Sequence, residues 1–210
     1  MTVFKPKIDI LPENQRKIWP RLKAAADEGF VLYGGTAIAL YLGHRTSVDF
    51  DFFTDKPIDS GLINRLPFLK KAKLSHRGKN TLIFMVPGKP GEPPVKVSFF
   101  GGISFAQQGN IKTTADQVLR VAPIKMLLGT KLKVLFDRIE PKDYIDIAHL
   151  LDAGLSLEDG LKTAQKMFGN AFSSNEAKKT LIYFDLPDLD ELSPAIKQKL
   201  IKAVKGVEIN

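Results

Sequence analysis

The sequence predicts an α/β (α+β) fold, in which a mixed sheet is flanked by helices and followed by a C-terminal helical domain. Residues 30–53 have the pattern of a strand, a glycine turn, a helix and a second strand. Residues 80–86 and 94–100 are rich in β-branched and aromatic residues, and the loop PGKPGEPP between them favours a hairpin-like pair. From Pro123 onward the pattern is typical of helices.

The N-terminal elements follow from hydrophobic period and from glycine and proline positions. A helix is predicted over residues 12–28, with a kink or restart at Pro20. The apolar run FVLY predicts a buried strand over residues 30–33. Helix formers with an apolar stripe occupy residues 36–42, and residues 47–53 (SVDFDFF) alternate acidic with aromatic side chains, which is the period of a strand.

The remaining elements are mostly helical. One helix is predicted near residues 59–70, and five more lie beyond the two sheet segments. These five cover residues 123–139, 142–153, 156–168, 174–183 and 193–205. The sequence therefore predicts two domains, a core over residues 1–120 and a helical C-terminal domain over residues 121–210.

The composition excludes several kinds of site. The chain has 210 residues, of which 44% are hydrophobic and 26% charged, as in ordinary globular proteins. It has no cysteine, so disulfides, cysteine-zinc sites and thiol catalysis are excluded. The start of the sequence lacks an apolar signal region, and no run approaches the roughly 18 apolar residues that cross a bilayer. We therefore expect a cytoplasmic protein with no membrane partner.

The net charge of +8 lies in the first half of the chain. Residues 1–110 contain 16 Lys and Arg against 9 Asp and Glu, whereas residues 111–210 contain 15 against 14. No acidic residue lies between Asp59 and Glu92, where seven cations occur: Arg65, Lys70, Lys71, Lys73, Arg77, Lys79 and Lys89. Such a run alone is more often a solvated face, but its closeness to an acidic motif favours phosphate binding. The stretch 65–79 is therefore predicted to bind nucleic acid.

The turn Gly34-Gly35-Thr36 lies between the first predicted strand and the helix after it. Two glycines allow a ligand to approach the backbone, and a helix start offers unpaired N–H groups at its positive dipole end. Thr36 adds a hydroxyl. The turn is therefore a candidate phosphate site, although most turns of this kind only reverse the chain.

Two carboxylates follow on the next predicted strand. Asp49 and Asp51 project from one face, roughly 7 Å apart along the backbone, while Val48, Phe50 and Phe52 are expected to pack in the core from the other face. Neighbouring carboxylates repel unless a cation lies between them, and hard oxygen ligands favour Mg²⁺ or Mn²⁺. For an isolated Asp-x-Asp, a solvent-facing acidic stripe on an edge strand would be the better interpretation, and the motif also occurs in glycosyltransferases that use nucleotide sugars.

The combination of these motifs is more specific. The GGT turn, twelve further residues and then Asp49-Phe50-Asp51 resemble the nucleotidyltransferase superfamily of DNA polymerase beta. The segment LYGGTAIALYLGHRTSVDFDFFT (residues 32–54) is similar to the AbiEii/AbiGii toxin family, and KLKVLFDRIEPKDYIDIAHLL (residues 131–151) is similar to that family's second signature. The two segments together cover the N-terminal core and the middle helices.

The resemblance implies a nucleotidyltransferase fold, a function and a set of site residues. The chain is expected to transfer a nucleoside monophosphate from an NTP to an acceptor hydroxyl, with tRNA as acceptor, as a toxin with a cognate antitoxin. The metal would be Mg²⁺ (or Mn²⁺), held by Asp49 and Asp51. The implied substrate-binding residues are Gly34, Gly35, Thr36, Arg45, Ser47, Arg138 and Asp143, and the implied catalytic residues are Asp49, Asp51, Lys131 and Asp146.

The second signature also has a physical interpretation. On a helix, Lys131 and Arg138 fall within the apolar stripe, so both are expected to face inward. Buried cations need partners, which are either Asp143 and Asp146 of the next helix or a bound phosphate. For Arg138 the two interpretations are equally supported, and for Lys131 the resemblance favours substrate phosphate.

Ser98 marks a departure from the superfamily pattern. Many members carry a third metal-binding carboxylate on a following strand, and VKVSFF (residues 95–100) has Ser98 at that place. The base that activates the acceptor hydroxyl is then missing, unless Asp143 or Asp146 serves. The alternative function is a catalytically silent module that binds nucleotide or RNA.

Overall fold

A computed structural model describes residues 2–59 and 61–207. The chain forms two compact units, Met1–Pro123 and Ile124–Asn210. Within the described residues, the first unit contains the sheet and the second is helical.

The described part of the first unit contains one eight-stranded sheet in the order β1-β7-β8-β2-β3-β6-β5-β4. Its strands are β1 (Thr2–Phe4), β2 (Val31–Tyr33), β3 (Asp49–Phe53), β4 (Lys73–Gly78), β5 (Thr81–Val86), β6 (Val95–Phe100), β7 (Lys112–Thr114) and β8 (Arg120–Val121). The central strand β3 is antiparallel to β2 and parallel to β6. The predicted mixed sheet is confirmed.

The N-terminal helices are short. They are α1 (Glu13–Ile18), α2 (Lys23–Asp27), α3 (Gly34–Leu42) and α4 (Leu62–Arg65). The predicted restart at Pro20 is confirmed, because a 3-10 turn over Trp19–Leu22 separates α1 from α2. The helix predicted near residues 59–70 is wrong in extent, since α4 ends before Pro67, which opens a separate 3-10 turn.

The two predicted sheet segments pair as expected. Strands β5 and β6 are antiparallel from Thr81 opposite Phe100 to Val86 opposite Val95. Strand β4 is absent from the sequence prediction, and it forms the exposed edge beside β5. Its sequence KLSHRG has no clear alternation of apolar and polar residues, and of its side chains only that of Leu74 is partly buried.

Aromatic side chains of β3 anchor the core of this unit. Phe50 and Phe52 are fully buried, and Phe52 stacks on Phe99 of β6 with ring centroids 5.5 Å apart. The expectation that Val48 packs beside them is wrong, because its side chain is 59% exposed. The physical reason is that β3 begins at Asp49, so Val48 lies before the alternating segment.

The second unit consists of helices. They are α5 (Ile124–Val134), α6 (Pro141–Asp152), α7 (Leu157–Phe168), α8 (Ser174–Leu181) and α9 (Pro194–Lys205). Each of the five predicted regions corresponds to one of them, but α6 begins one residue before its predicted start and α5 ends at Val134, short of its predicted end. Helices α5 and α7 approach closely at Gly160, where a Cβ would lie 2.6 Å from Cδ2 of Leu128. No helix in the described part of the chain is long and apolar enough to cross a membrane.

Candidate active site

The sheet topology brings one acid of β3 to the start of α3. In the antiparallel β2–β3 pair, Asp51 lies opposite Tyr33, and α3 begins at the next residue, Gly34. Asp49 lies two residues earlier on β3, and its side chain is 33% exposed. Because Phe50 and Phe52 fill the core, both acids are kept on the other face of the strand.

Gly34 is in direct contact with one of these acids. Its φ of +72° belongs to the left-handed region that favours glycine, and a Cβ at this position would lie 2.6 Å from Oδ2 of Asp51. Any side chain would therefore displace the carboxylate. The glycine allows Asp51 to lie against the turn.

Gly35 is in contact with the guanidinium of Arg45, as Gly34 is with the carboxylate of Asp51. A Cβ there would overlap Nη2 of Arg45 and would lie 3.4 Å from Oγ of Ser47. The guanidinium also donates from Nη1 to the carbonyl of Thr46, at 3.0 Å. Arg45 is thus placed over the first turn of α3, next to the glycine that follows Gly34.

Thr36 and Ser47 connect the helix to the strand. Both are buried, and their hydroxyl oxygens are 2.8 Å apart. The Thr36 hydroxyl also donates to the backbone carbonyl of Asp49. These contacts fix the entry into β3, so the two hydroxyls position Asp49; direct contact of either with substrate stays a prediction.

The start of α3 is suited to an anion. Its N-cap residue, Tyr33, makes no capping hydrogen bond with its side chain, and a helix start carries unpaired N–H groups and positive dipole charge. Arg45 adds a full positive charge at this turn. A polyphosphate here would lie beside the carboxylate of Asp51.

The donor set fits a hard divalent cation. Asp49 and Asp51 supply carboxylate oxygens on one half-exposed face, and Mg²⁺ is commonly held by one or two carboxylates together with waters and substrate phosphates. The described residues contain no group of three or more His, Cys, Asp or Glu arranged to hold a metal. Waters and phosphate oxygens would therefore have to complete the coordination.

The second signature forms a buried ion-pair network in the helical unit. Lys131 is 4% exposed, and its Nζ lies 2.6 Å from Oδ1 of Asp143 and 2.8 Å from Oδ2 of Asp146. Nε of Arg138 lies 3.1 Å from Oδ2 of Asp143. The carboxylates are therefore the partners of both cations in this structure, as one of the two interpretations expected.

The expected inward orientation is correct for Lys131 and wrong for Arg138. The Arg138 side chain is 46% exposed, because α5 ends at Val134 and the residue lies in the following turn. Arg138 therefore reaches Asp143 from the rim of the network, and Lys131 from within it.

Sequence reasoning missed Lys96. Its Nζ lies 3.4 Å from Oδ2 of Asp49, which it faces across the parallel β3–β6 pair. Ser98, two residues on, lies opposite Asp51. The alternation in VKVSFF already places Lys96 and Ser98 on one face, but the strand pairing is needed to show which residues they face.

The basic stretch 65–79 divides into two parts. Arg65 is held by two carboxylates, with Nη2 2.6 Å from Oδ2 of Asp59 and Nε 2.6 Å from Oε2 of Glu28. The hydrogen bond to Asp59, followed by that to Glu28, raises the pKa of Arg65 above its ordinary value. The other cations are exposed around the edge strand β4: Lys70, Lys71, Lys73, Arg77 and Lys79. The open positive surface is therefore residues 70–79.

A family model identifies the family of this chain, and solved structures share its fold. Residues 18–208 match the model of the family described as nucleotidyl transferase AbiEii toxin, Type IV TA system. An uncharacterized protein of Aquifex aeolicus (strain VF5) is 32% identical over 160 residues, which is 74% of each chain. MenT4, a nucleotidyltransferase toxin of Mycobacterium tuberculosis H37Rv, superposes with a TM-score of 0.58 and 12% identity, over 90% of this chain and 82% of its own. JHP933 of Helicobacter pylori gives a TM-score of 0.56 and 18% identity, over 91% and 95%.

Proposed function

The chain belongs to the AbiEii family of nucleotidyl transferase toxins, and we propose that it transfers a nucleoside monophosphate from an NTP to a hydroxyl of tRNA. The observation that carries the proposal is the pair of contacts at successive glycines. The carboxylate of Asp51 lies against Gly34, and the guanidinium of Arg45 lies against Gly35. In this proposal Asp51 binds the metal and Arg45 binds phosphate, and their positions at one helix start support it.

The proposed binding mode uses this helix start for the phosphates. Backbone N–H groups of Gly34 and Gly35 donate to phosphate oxygens, and Arg45 adds charge-assisted hydrogen bonds. Asp49 and Asp51 hold Mg²⁺ or Mn²⁺. When bound, the cation offsets negative charge that develops on the transferred group and on the leaving pyrophosphate.

The proposed reaction is an in-line displacement at the α-phosphorus. The acceptor oxygen forms a bond to the α-phosphorus as the bond to the α,β-bridging oxygen breaks. Pyrophosphate leaves with that electron pair, and the hydroxyl proton passes to a carboxylate. The chain's contribution is to hold the triphosphate and to offset its charge at fixed positions.

The family's second signature supplies the remaining proposed roles. Lys131 would neutralise substrate phosphates, Asp146 would accept the hydroxyl proton, and Arg138 and Asp143 would contact substrate. Lys131 is almost fully buried between two carboxylates, so it must exchange one of them for phosphate oxygens. That exchange would free Asp146 to take a proton.

The proposed acceptor and partner follow from charge and family. Five exposed cations in residues 70–79 suit a phosphate backbone, which supports RNA as the acceptor. The family description implies a cognate antitoxin, encoded as the other half of a toxin–antitoxin pair. A tRNA acceptor places the reaction in the cytoplasm.

The proposal is tested by incubating the purified chain with Mg²⁺, total tRNA and each of the four α-³²P NTPs in turn. Transfer of label to tRNA with one or more NTPs is expected. Asp49→Asn and Asp51→Asn should each abolish labelling, whereas Asp190→Asn, at an exposed acid of the second unit, should leave it unchanged. Labelling that survives both site variants would disprove the site.

Ser98 supports a second candidate function, a silent nucleotide- or RNA-binding module. Ser98 occupies the position opposite Asp51 where a third carboxylate would complete a two-metal centre. Calorimetry with NTP and Mg²⁺ separates the candidates, because a silent module binds nucleotide without forming product. Binding and transfer by the same preparation would exclude it.

A further inference from the structure

The two acids of β3 face two different side chains on β6. Asp51 lies opposite Ser98, and Asp49 lies opposite Lys96, so all four share one face of the sheet. Nζ of Lys96 is 3.4 Å from Oδ2 of Asp49. The Ser98 hydroxyl is buried and has no hydrogen-bond partner among the described residues. The neighbouring strand therefore offers the acids an ammonium and a hydroxyl.

This arrangement limits how many cations the acids can hold. Two adjacent divalent cations are ordinarily bridged and flanked by several carboxylates, because each needs oxygen ligands and mutual repulsion must be offset. Here the face carries two carboxylates, and no third His, Cys, Asp or Glu joins them within the described residues. Lys96 already offers one positive charge to Asp49. A second divalent cation would meet that charge at close range.

We propose that this centre binds one divalent cation per chain, and that Lys96 takes the place of a second one. The proposal rests on the proposed function, since it concerns the same nucleotide site. The bound cation uses both acids, while the ammonium of Lys96 partly neutralises Asp49. Lys96 is thus a positioning residue that acts through Asp49, and Ser98 leaves the place of the third carboxylate without charge.

The test counts Mn²⁺ by electron paramagnetic resonance. The metal-free chain is mixed with one equivalent of an α,β-methylene NTP, which cannot release pyrophosphate, and is titrated with Mn²⁺. One Mn²⁺ per chain is expected, with the spectrum of an isolated ion. Two Mn²⁺ per chain with an exchange-coupled spectrum, as for ions about 3.5–4 Å apart, would overturn this inference but leave the proposed function standing. If no Mn²⁺ binds in the presence of the nucleotide analogue, both this inference and the proposed function are wrong.

Variants of Lys96 test its part directly, and its half-exposed side chain makes them compatible with folding. Lys96→Met should tighten Mn²⁺ binding in the absence of nucleotide by about fivefold, because Asp49 loses a competing cation. Lys23→Met, at a lysine paired with Asp27 on the surface of α2, should not change it. An unchanged affinity in Lys96→Met would overturn the role of Lys96.

A third carboxylate should create the missing site. Lys96→Glu places an acid beside Asp49 and removes the ammonium, so a second Mn²⁺ is expected to bind with the nucleotide analogue. Ser98→Asp tests whether a third carboxylate opposite Asp51 also creates a second Mn²⁺ site. Because this variant buries a new charge, its unfolding temperature must be measured alongside. If folded Lys96→Glu still binds one Mn²⁺, the charge of Lys96 does not set the stoichiometry, and the inference fails.

Discussion

Gly34 and Asp51 are fitted to each other: the carboxylate of Asp51 occupies the space that any side chain at position 34 would need. The contact links a backbone requirement to a chemical one. Gly34 needs a φ of +72° so that the chain can turn from β2 into α3, and its missing Cβ lets an acid approach the same turn.

The first prediction separates these two requirements. Gly34→Ala should destabilise the fold by about 1–2 kcal/mol, because an L-residue is strained at this φ. It should also abolish nucleotide transfer, because its Cβ pushes Oδ2 of Asp51 away. Gly154→Ala is the matched control, since Gly154 has a φ of +89° and, apart from its own atoms and those of its two chain neighbours, no heavy atom of the described residues lies within 4 Å of the place that a Cβ would take. Urea unfolding should show similar losses for both, with activity lost only in Gly34→Ala.

The second prediction concerns Arg45. Arg45→Ala should weaken NTP binding by about 10- to 100-fold, as expected for losing charge-assisted hydrogen bonds to phosphate. Gly35→Ala should weaken it as well, because its Cβ displaces the same guanidinium without straining the backbone. Calorimetry of both single variants and the double variant tests this. If the two effects simply add, Gly35 does not act through Arg45.

Part of this site is predictable from local sequence. The GGT turn and the alternation around Asp49 and Asp51 depend on residues close together in the chain, so propensity and period predict them. The pairing of Asp49 with Lys96 is not predictable in this way, because the register between β3 and β6 is set by packing of distant segments such as Phe52 on Phe99.

Elsewhere in the fold, too, elements with a clear local pattern are predictable, and those without one are not. Helices α6, α7 and α9 carry clear apolar stripes, and their predicted bounds are nearly those of the structure. Strand β4 is not predicted from the sequence, because an edge strand with polar side chains on both faces lacks the two-residue alternation of apolar and polar residues. Arg138 is expected inside the helix stripe, and the end of α5 at Val134 removes it from that stripe.

The third prediction concerns the buried network of the helical unit. Lys131→Met should destabilise the chain by about 3–5 kcal/mol, because it removes the buried ammonium that both Asp143 and Asp146 contact, and the half-exposed Arg138 reaches Asp143 only from the rim. Lys125→Met should cost at most about 1 kcal/mol, since the pair that Lys125 makes with Asp159 is exposed. Urea unfolding followed by circular dichroism measures both.

A triple variant identifies the cause of that loss. Adding Asp143→Asn and Asp146→Asn to Lys131→Met removes the two carboxylate charges that Lys131 had neutralised, so part of the lost stability should return. If the triple variant is less stable than Lys131→Met alone, the loss of stability in Lys131→Met does not come from the buried carboxylate charges.

The last prediction concerns the exposed cations of residues 70–79. Each lysine that neutralises an RNA phosphate releases counterions on binding, so changing Lys71, Lys73 and Lys79 together to Gln should lower the slope of log K against log salt by roughly 0.7–0.9 for each phosphate that is no longer neutralised. Arg65→Gln is the control within the same stretch. Because Glu28 and Asp59 already neutralise Arg65, its loss should leave the slope unchanged.

Fluorescence anisotropy with labelled tRNA between low and moderate salt measures the slopes. Equal slopes for the triple variant and the wild type would show that RNA does not bind at this edge of the sheet, whatever the outcome at the nucleotide site.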